Sequence, residues 1–178
     1  MADAARPHDL YDAIAALPEG VVGELIDGQV HTQPRPSGPH AVTASRLGGD
    51  LMQPFDRGRG GPGGWWILDE PEVHFRRDAE ILVPDIAGWR RDRMPEPPAD
   101  QRFEIVPDWV CEILSPATAS KDRDIKMPVY ARHGVPHAWL VDPRDRRVEA
   151  YVNRDGRWEL VATIEGSADI VAPPFDAV

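Results

Sequence analysis

Two acidic residues stand inside otherwise apolar, strand-like runs. Asp85 follows Pro84 in Val83–Trp89, and Glu112 sits at the centre of Trp109-Val110-Cys111-Glu112-Ile113-Leu114. An ionised carboxylate there is costly unless it is paired, protonated, metal-bound or turned toward water. If the two strands are neighbours and both side chains leave the same face, their charges repel unless a cation lies between them. Oxygen donors, with no His or Cys at zinc-like spacing, suit magnesium or manganese. Lys121 and Lys126 are the only lysines among twenty basic residues, and both come soon after Glu112. From a helix packing back on the sheet, the Lys126 ammonium would reach the same place and stabilise charge near a phosphate. Lys121, closer in sequence, reads as loop-bound.

Each of these residues also has a plainer reading. Asp85 could cap a turn after proline, and Glu112 could face solvent from an edge strand, although its apolar neighbours oppose that. Lys126 could pair with Asp122 four residues earlier, a surface contact worth only a few tenths of a kcal/mol. Glu24 reads as an exposed strand residue ahead of a hairpin, and His40 as a capping or surface residue at a helix start. Ser115 and Ser120 have no histidine and acid arranged as a nucleophile's partners, so helix capping explains them better.

The elements that would position these groups are legible in outline. Leu10, Ile14 and Leu17 mark a short amphipathic helix over His8–Leu17, ended by Pro18-Glu19-Gly20. Two β-prone runs flank Asp27-Gly28, a dipeptide that tolerates the positive φ of a tight hairpin. Val42, Leu47, Leu51 and Phe55 share one face of a long helix over His40–Phe55. Strands are expected at Trp65–Leu68, Glu72–Phe75, Val83–Trp89 and Trp109–Leu114, with an exposed, mobile loop from Arg91 to Pro107. After Ser115-Pro116 a helix runs toward His133-Gly134, and Pro128 either kinks it or marks its true start. His137–Asp142 reads as a buried strand, and Arg147–Val152 with Trp158–Ile164 as a hairpin around Asp155-Gly156. The order favours an α/β (mixed α+β) fold built on one mixed sheet with helices packed against it.

At 178 residues the chain suits a single domain over 1–178, with residues 1–20 as a short N-terminal helical extension. One cysteine, Cys111, excludes a disulfide framework and suits a reducing cytoplasm. No eighteen-residue apolar stretch occurs, so neither secretion nor membrane spanning is expected. A formal charge of −10 argues against a protein that coats nucleic acid non-specifically, but a local basic groove is compatible with it. Arg90, Arg91 and Arg93, with Arg144, Arg146 and Arg147, are candidates for a phosphate-facing rim, and solvated turns explain them equally well. The six tryptophans fall mostly in strands and read as core.

The ordered set Pro84-Asp85, Glu112-Ile113-Leu114-Ser115-Pro116, Asp122, Lys126, Tyr130 and Gly134–Asp142 resembles the Uma-two family of putative restriction endonucleases. That family is placed in the PD-(D/E)XK nuclease superfamily. Glu24–Gly28 and Ser37-Gly38-Pro39-His40 extend the likeness over most of the chain. The resemblance implies a restriction-endonuclease-like mixed β-sheet flanked by helices, with added β-hairpins. It implies Asp85, Glu112 and the backbone carbonyl of Ile113 as metal ligands, and Glu24 as a third carboxylate. The superfamily pattern places lysine two positions after the glutamate; Leu114 stands there, and Lys126 is the candidate migrated lysine. The function expected is Mg2+- or Mn2+-dependent hydrolysis of phosphodiester bonds, in DNA, by a cytoplasmic homodimer. The alternative is an inactive nuclease-like fold serving as a dimeric binding or scaffold module.

Overall fold

The computed structural model describes residues 7–33, 35–166 and 170–175, with the backbone alone for residues 7–9. Among the described residues, ten strands form two sheets. An antiparallel sheet comprises β1 (Val22–Ile26), β2 (Gln29–Gln33), β4 (Val73–Arg76) and β5 (Glu80–Leu82), in the order β2-β1-β5-β4. A mixed sheet comprises β3 (Trp65–Asp69), β6 (Ile86–Arg90), β7 (Trp109–Ile113), β8 (His137–Asp142), β9 (Arg147–Arg154) and β10 (Arg157–Glu165), in the order β10-β9-β8-β7-β6-β3. Within it β7 and β8 run parallel, and the other neighbours are antiparallel.

The mixed α/β architecture is the one expected, but it holds two sheets where the sequence suggested a single mixed one. The extra sheet arises because a strand not expected from the sequence, β5, precedes the run Val83–Trp89, and that run joins the mixed sheet only from Ile86. Residues Glu80–Leu82 pair with β1 and β4, whereas pairing with β3 and β7 begins only at Ile86. Pro84 has no N–H to offer a ladder and sits where the chain leaves one sheet for the other. Val83 and Asp85 are thereby placed at the junction.

The alternation of side chains explains how the six-stranded sheet is covered on both faces. From β7, Trp109, Cys111 and Ile113 enter one cluster, joined by Leu47, Leu51 and Phe55 of helix α2 (Gly38–Leu51) and its extension, and by Phe175. Val110 and Leu114 point the other way, toward Met127, Val129 and Tyr130. Those three residues lie on α4 (Met127–Arg132), which continues α3 (Ala119–Lys121) through a five-residue π turn, Asp122–Lys126. Pro128 can donate no hydrogen bond, and the turn before it widens so that Met127 N–H reaches the Asp122 carbonyl. Pro128 therefore neither starts nor ends the helix. The same happens at Pro54, inside the π turn Met52–Asp56 that continues α2.

Helix α1 (Pro7–Ala15) packs on β1 over Gly23, where a Cβ would stand 2.5 Å from Leu17 Cδ1. The β1–β2 hairpin turns on Asp27 and Gly28, both with positive φ (49° and 75°), as a primed two-residue turn requires. The Arg91–Pro107 segment is mostly exposed, as expected, yet it is anchored at several points. Met94 is 1% exposed, the Trp66 indole N–H donates to its carbonyl at 2.9 Å, and the Trp89 indole N–H donates to Ile105 at 2.7 Å. Phe103 also bridges to Val73. Aromatic donors that must find acceptors when buried pin this proline-rich loop down.

Candidate functional site

Strand register brings the two carboxylates together. Ile86 pairs with Cys111 and Ala87 with Val110, so one step further Asp85 lies opposite Glu112, and opposed residues share a face. Both line a cavity of about 240 Å³, with Arg35, His40, Glu70 and Asp122 also in its wall. It opens at the C-terminal end of β7, beside the residue that precedes β6. The two oxygens of Asp85 are divided: Oδ2 accepts the Ile113 N–H at 2.6 Å, and Oδ1 lies 3.1 Å from His40 Nε2.

Glu112 is 2% exposed, and its charge is met from behind the cavity. Lys126 Nζ lies 2.8 Å from Oε1 and 2.9 Å from Oε2, and the Tyr130 hydroxyl donates to Oε1 at 2.5 Å. Lys126 is itself fully buried; it also donates to the Val83 carbonyl at 3.0 Å and lies 3.1 Å from Glu24 Oε1. Glu24, on β1, accepts the Val83 N–H at 2.9 Å and meets Lys121 at 2.5 Å. A single buried network thus links both sheets to the helix carrying Lys121, Lys126 and Tyr130.

Several sequence expectations change here. Glu24 is not an exposed strand residue but 0% exposed, because β1 lies between β2 and β5 and faces the junction. Lys126 is not a surface partner of Asp122, and its ammonium stands behind Glu112 rather than on the cavity wall. Of the ways to make a buried Glu112 tolerable, pairing with the Lys126 ammonium is the one the structure shows. Lys121 belongs to α3 rather than to a loop, and His40 turns inward to Asp85 instead of capping its helix. Arg90, Arg91 and Arg93 are not part of the rim. They lie at the far end of β6, about 13 Å along the strand from Ile86; there Arg91 stacks 3.7 Å over Trp66 and Arg93 pairs with Asp108 at 2.6 Å. Three wall residues were not selected for chemistry from sequence: Glu70, Asp122 and Arg35. None lies in an apolar run that makes a charge conspicuous, and only Asp122 carried a signal, its place in the family pattern.

The electrostatics follow from burial and this crowding. Burial pushes the Asp122 carboxyl up to about 6, with Lys126 opposing. Burial likewise holds Glu112 well above its ordinary value; Lys126 opposes, and Asp122, Asp85 and Glu24 add to the push. Burial alone would raise Glu24 too, but Lys126 and Lys121 outweigh it and hold it low. For Lys126, burial would favour the neutral amine, yet Glu112, Glu24, Asp122 and Asp85 together hold it more firmly charged than an ordinary lysine. The cavity wall thus carries more acid than its cations neutralise.

Among the described residues, no group of three or more His, Cys, Asp or Glu side chains stands ready-made to hold a metal ion. Magnesium, however, is commonly held by one or two carboxylates while it keeps several waters. Two hard-oxygen side chains on one face, beside carboxyls raised by desolvation, are a donor set that a divalent cation fits.

A family model described as "Putative restriction endonuclease", Uma2, matches residues 9–176. The chain belongs to the Uma2 family. Among solved structures, it is similar to a putative nuclease belonging to DUF820 from Anabaena variabilis, with a TM-score of 0.72 and 24% identity over 93% of this chain and 90% of that one. At that identity the likeness establishes the fold. No curated protein matches the chain. No helix among the described residues of this Uma2 protein is long and apolar enough to cross a membrane.

Proposed function

We propose that this Uma2 protein is a divalent-metal-dependent endonuclease hydrolysing phosphodiester bonds in DNA. Asp85, Glu112 and the Ile113 carbonyl would hold Mg2+ or Mn2+. The observation that carries this reading is the register that sets Asp85 opposite Glu112 on one face, at a cavity whose wall holds excess acid. A bound divalent ion supplies Lewis-acid polarisation of the phosphate and a more acidic water.

The protein's own groups do the rest. Lys126 and Tyr130 hold both oxygens of Glu112, so the carboxylate is presented in one orientation. Lys126 acts as a positioning cation, and its charge reaches the cavity through Glu112 rather than by contact with substrate. Glu24 anchors Lys126 against Val83, coupling the second sheet to the site. Arg35 has no hydrogen bond or ion pair among the described residues and stands in the wall; its guanidinium is the exposed cation suited to a phosphate. Cleavage of both strands of a duplex would call for two copies of the chain, in a cytoplasmic homodimer.

The test is cleavage of supercoiled plasmid, with magnesium or manganese, by wild type, Asp85→Asn and Glu112→Gln, with melting curves to verify folding. Metal-dependent cleavage by wild type and its loss in both variants is expected; equal activity in all three rejects the proposal. A rival reading, a binding module without turnover, draws support from Leu114 at the motif lysine position and from a Glu112 whose oxygens are already engaged. Calorimetric titration with Mn2+ separates the two, since only the nuclease needs a metal site that weakens when either carboxylate is removed.

A further inference from the structure

Among the described residues, His40 is the only imidazole in the cavity wall, and its surroundings discriminate between two roles. Its Nε2 faces Asp85 Oδ1 at 3.1 Å, its side chain is 12% exposed, and its Nδ1 is buried without a hydrogen-bond partner. A histidine that ligates a metal through Nε2 must carry its proton on Nδ1, and such histidines almost always donate that proton to a second group. Among the described residues there is no acceptor, so the ligating tautomer would leave a buried N–H unsatisfied. With the proton on Nε2, the ring donates to Asp85 and leaves only a bare lone pair at Nδ1. Orphaned buried donors are rarer than under-satisfied acceptors.

Asp85 would then be held at both oxygens: Oδ2 by the Ile113 N–H, and Oδ1 by His40. Two donors on different oxygens fix the plane of a carboxylate that one donor would leave free to rotate. The second donor comes from the first turn of α2, a helix anchored on the opposite sheet face by Leu47 and Leu51, so the ring arrives on a rigid support.

We infer that His40 is a positioning residue, not a metal ligand: its Nε2–H locks the Asp85 carboxylate in the orientation in which Oδ1 can also accept a divalent cation. The inference rests on the metal reading proposed above.

The test uses the full chain and Mn2+ as the probe, with affinity from electron paramagnetic resonance of free manganese and ligand identity from pulsed measurements of nitrogen coupling. Wild type should bind Mn2+ with no directly bound nitrogen. His40→Ala should bind about 10- to 100-fold more weakly, the usual loss for a residue that orients a metal ligand, and His40→Gln, which keeps an N–H near the Nε2 position, should recover most of that loss. Melting curves verify folding of each variant. Equal affinity in wild type and His40→Ala overturns the inference while leaving the metal reading intact. Nitrogen coupling in wild type that disappears in His40→Ala overturns it in favour of direct ligation. Failure of His40→Gln to recover affinity overturns it by showing that the ring, not its hydrogen bond, matters. If wild type itself binds no Mn2+, the metal reading and this inference fall together.

Discussion

Replacing Lys126 with methionine removes one charge from the interior while nearly keeping its volume, and so isolates what the ammonium does. The side chain is 0% exposed, and the two carboxylates it faces, Glu24 and Glu112, are 0% and 2% exposed. Glu24 keeps Lys121 and the Val83 N–H, but Glu112 keeps only the Tyr130 hydroxyl. Removing one partner of a buried ion pair costs about 3–5 kcal/mol, because the remaining charge is left without compensation. Glu112 can escape part of that cost by taking up a proton, which sets the expectation for Lys126→Met near the lower end. For a chain of this length each kcal/mol moves the melting temperature by about 2–4 °C, so a fall of roughly 6–12 °C is expected. Urea unfolding without metal, followed by fluorescence of the buried tryptophans, gives the free energy directly. The double variant Lys126→Met/Glu112→Gln should cost less than the sum of the two single changes by about 1–3 kcal/mol, the range measured for residues in contact. A loss for Lys126→Met of only a few tenths of a kcal/mol, the value for an exposed i, i+4 pair, would refute the buried network and with it the positioning of Glu112.

Two other expectations concern separate parts of the molecule. Glu80 is 1% exposed and is contacted by Arg132 and His133; burial would raise its carboxyl, but hydrogen bonds from His133 and Arg132 outweigh this and hold it below its ordinary value. Its stabilising contribution is therefore present above the unfolded carboxyl value and lost as pH falls through the folded one. Glu80→Gln should cost about 1–3 kcal/mol at pH 7, with the difference from wild type shrinking below about pH 4.3; a pH-independent difference in urea unfolding contradicts this account. Arg35→Ala should weaken DNA binding uniformly across sequences and reduce the salt slope of log affinity by about one; an unchanged slope in fluorescence anisotropy removes Arg35 from the phosphate path.

The sequence by itself determined most of the local structure and the identity of the two central acids. Short, nearly unbroken apolar runs marked β7 and β8, Asp27-Gly28 and Asp155-Gly156 specified hairpins, and a glutamate between Cys111 and Ile113 was conspicuous because burying it needs a partner. The tertiary structure alone decided which partner that is. Lys126 comes from a helix widened before Pro128, and Glu24 from a different sheet, so their meeting depends on contacts distant in sequence. The strand Glu80–Leu82 and the break at Val83–Asp85 that separates it from β6 were equally hidden, since strand propensity does not say which sheet a residue joins. His40 read as a surface or cap residue, Asp122 as a surface partner of Lys126, and Glu70 drew no attention, because local pattern reports only on near neighbours. Charge is matched or left unmatched by whatever packing brings within a few ångströms, and for this cavity that was settled by the junction of two sheets and one helix.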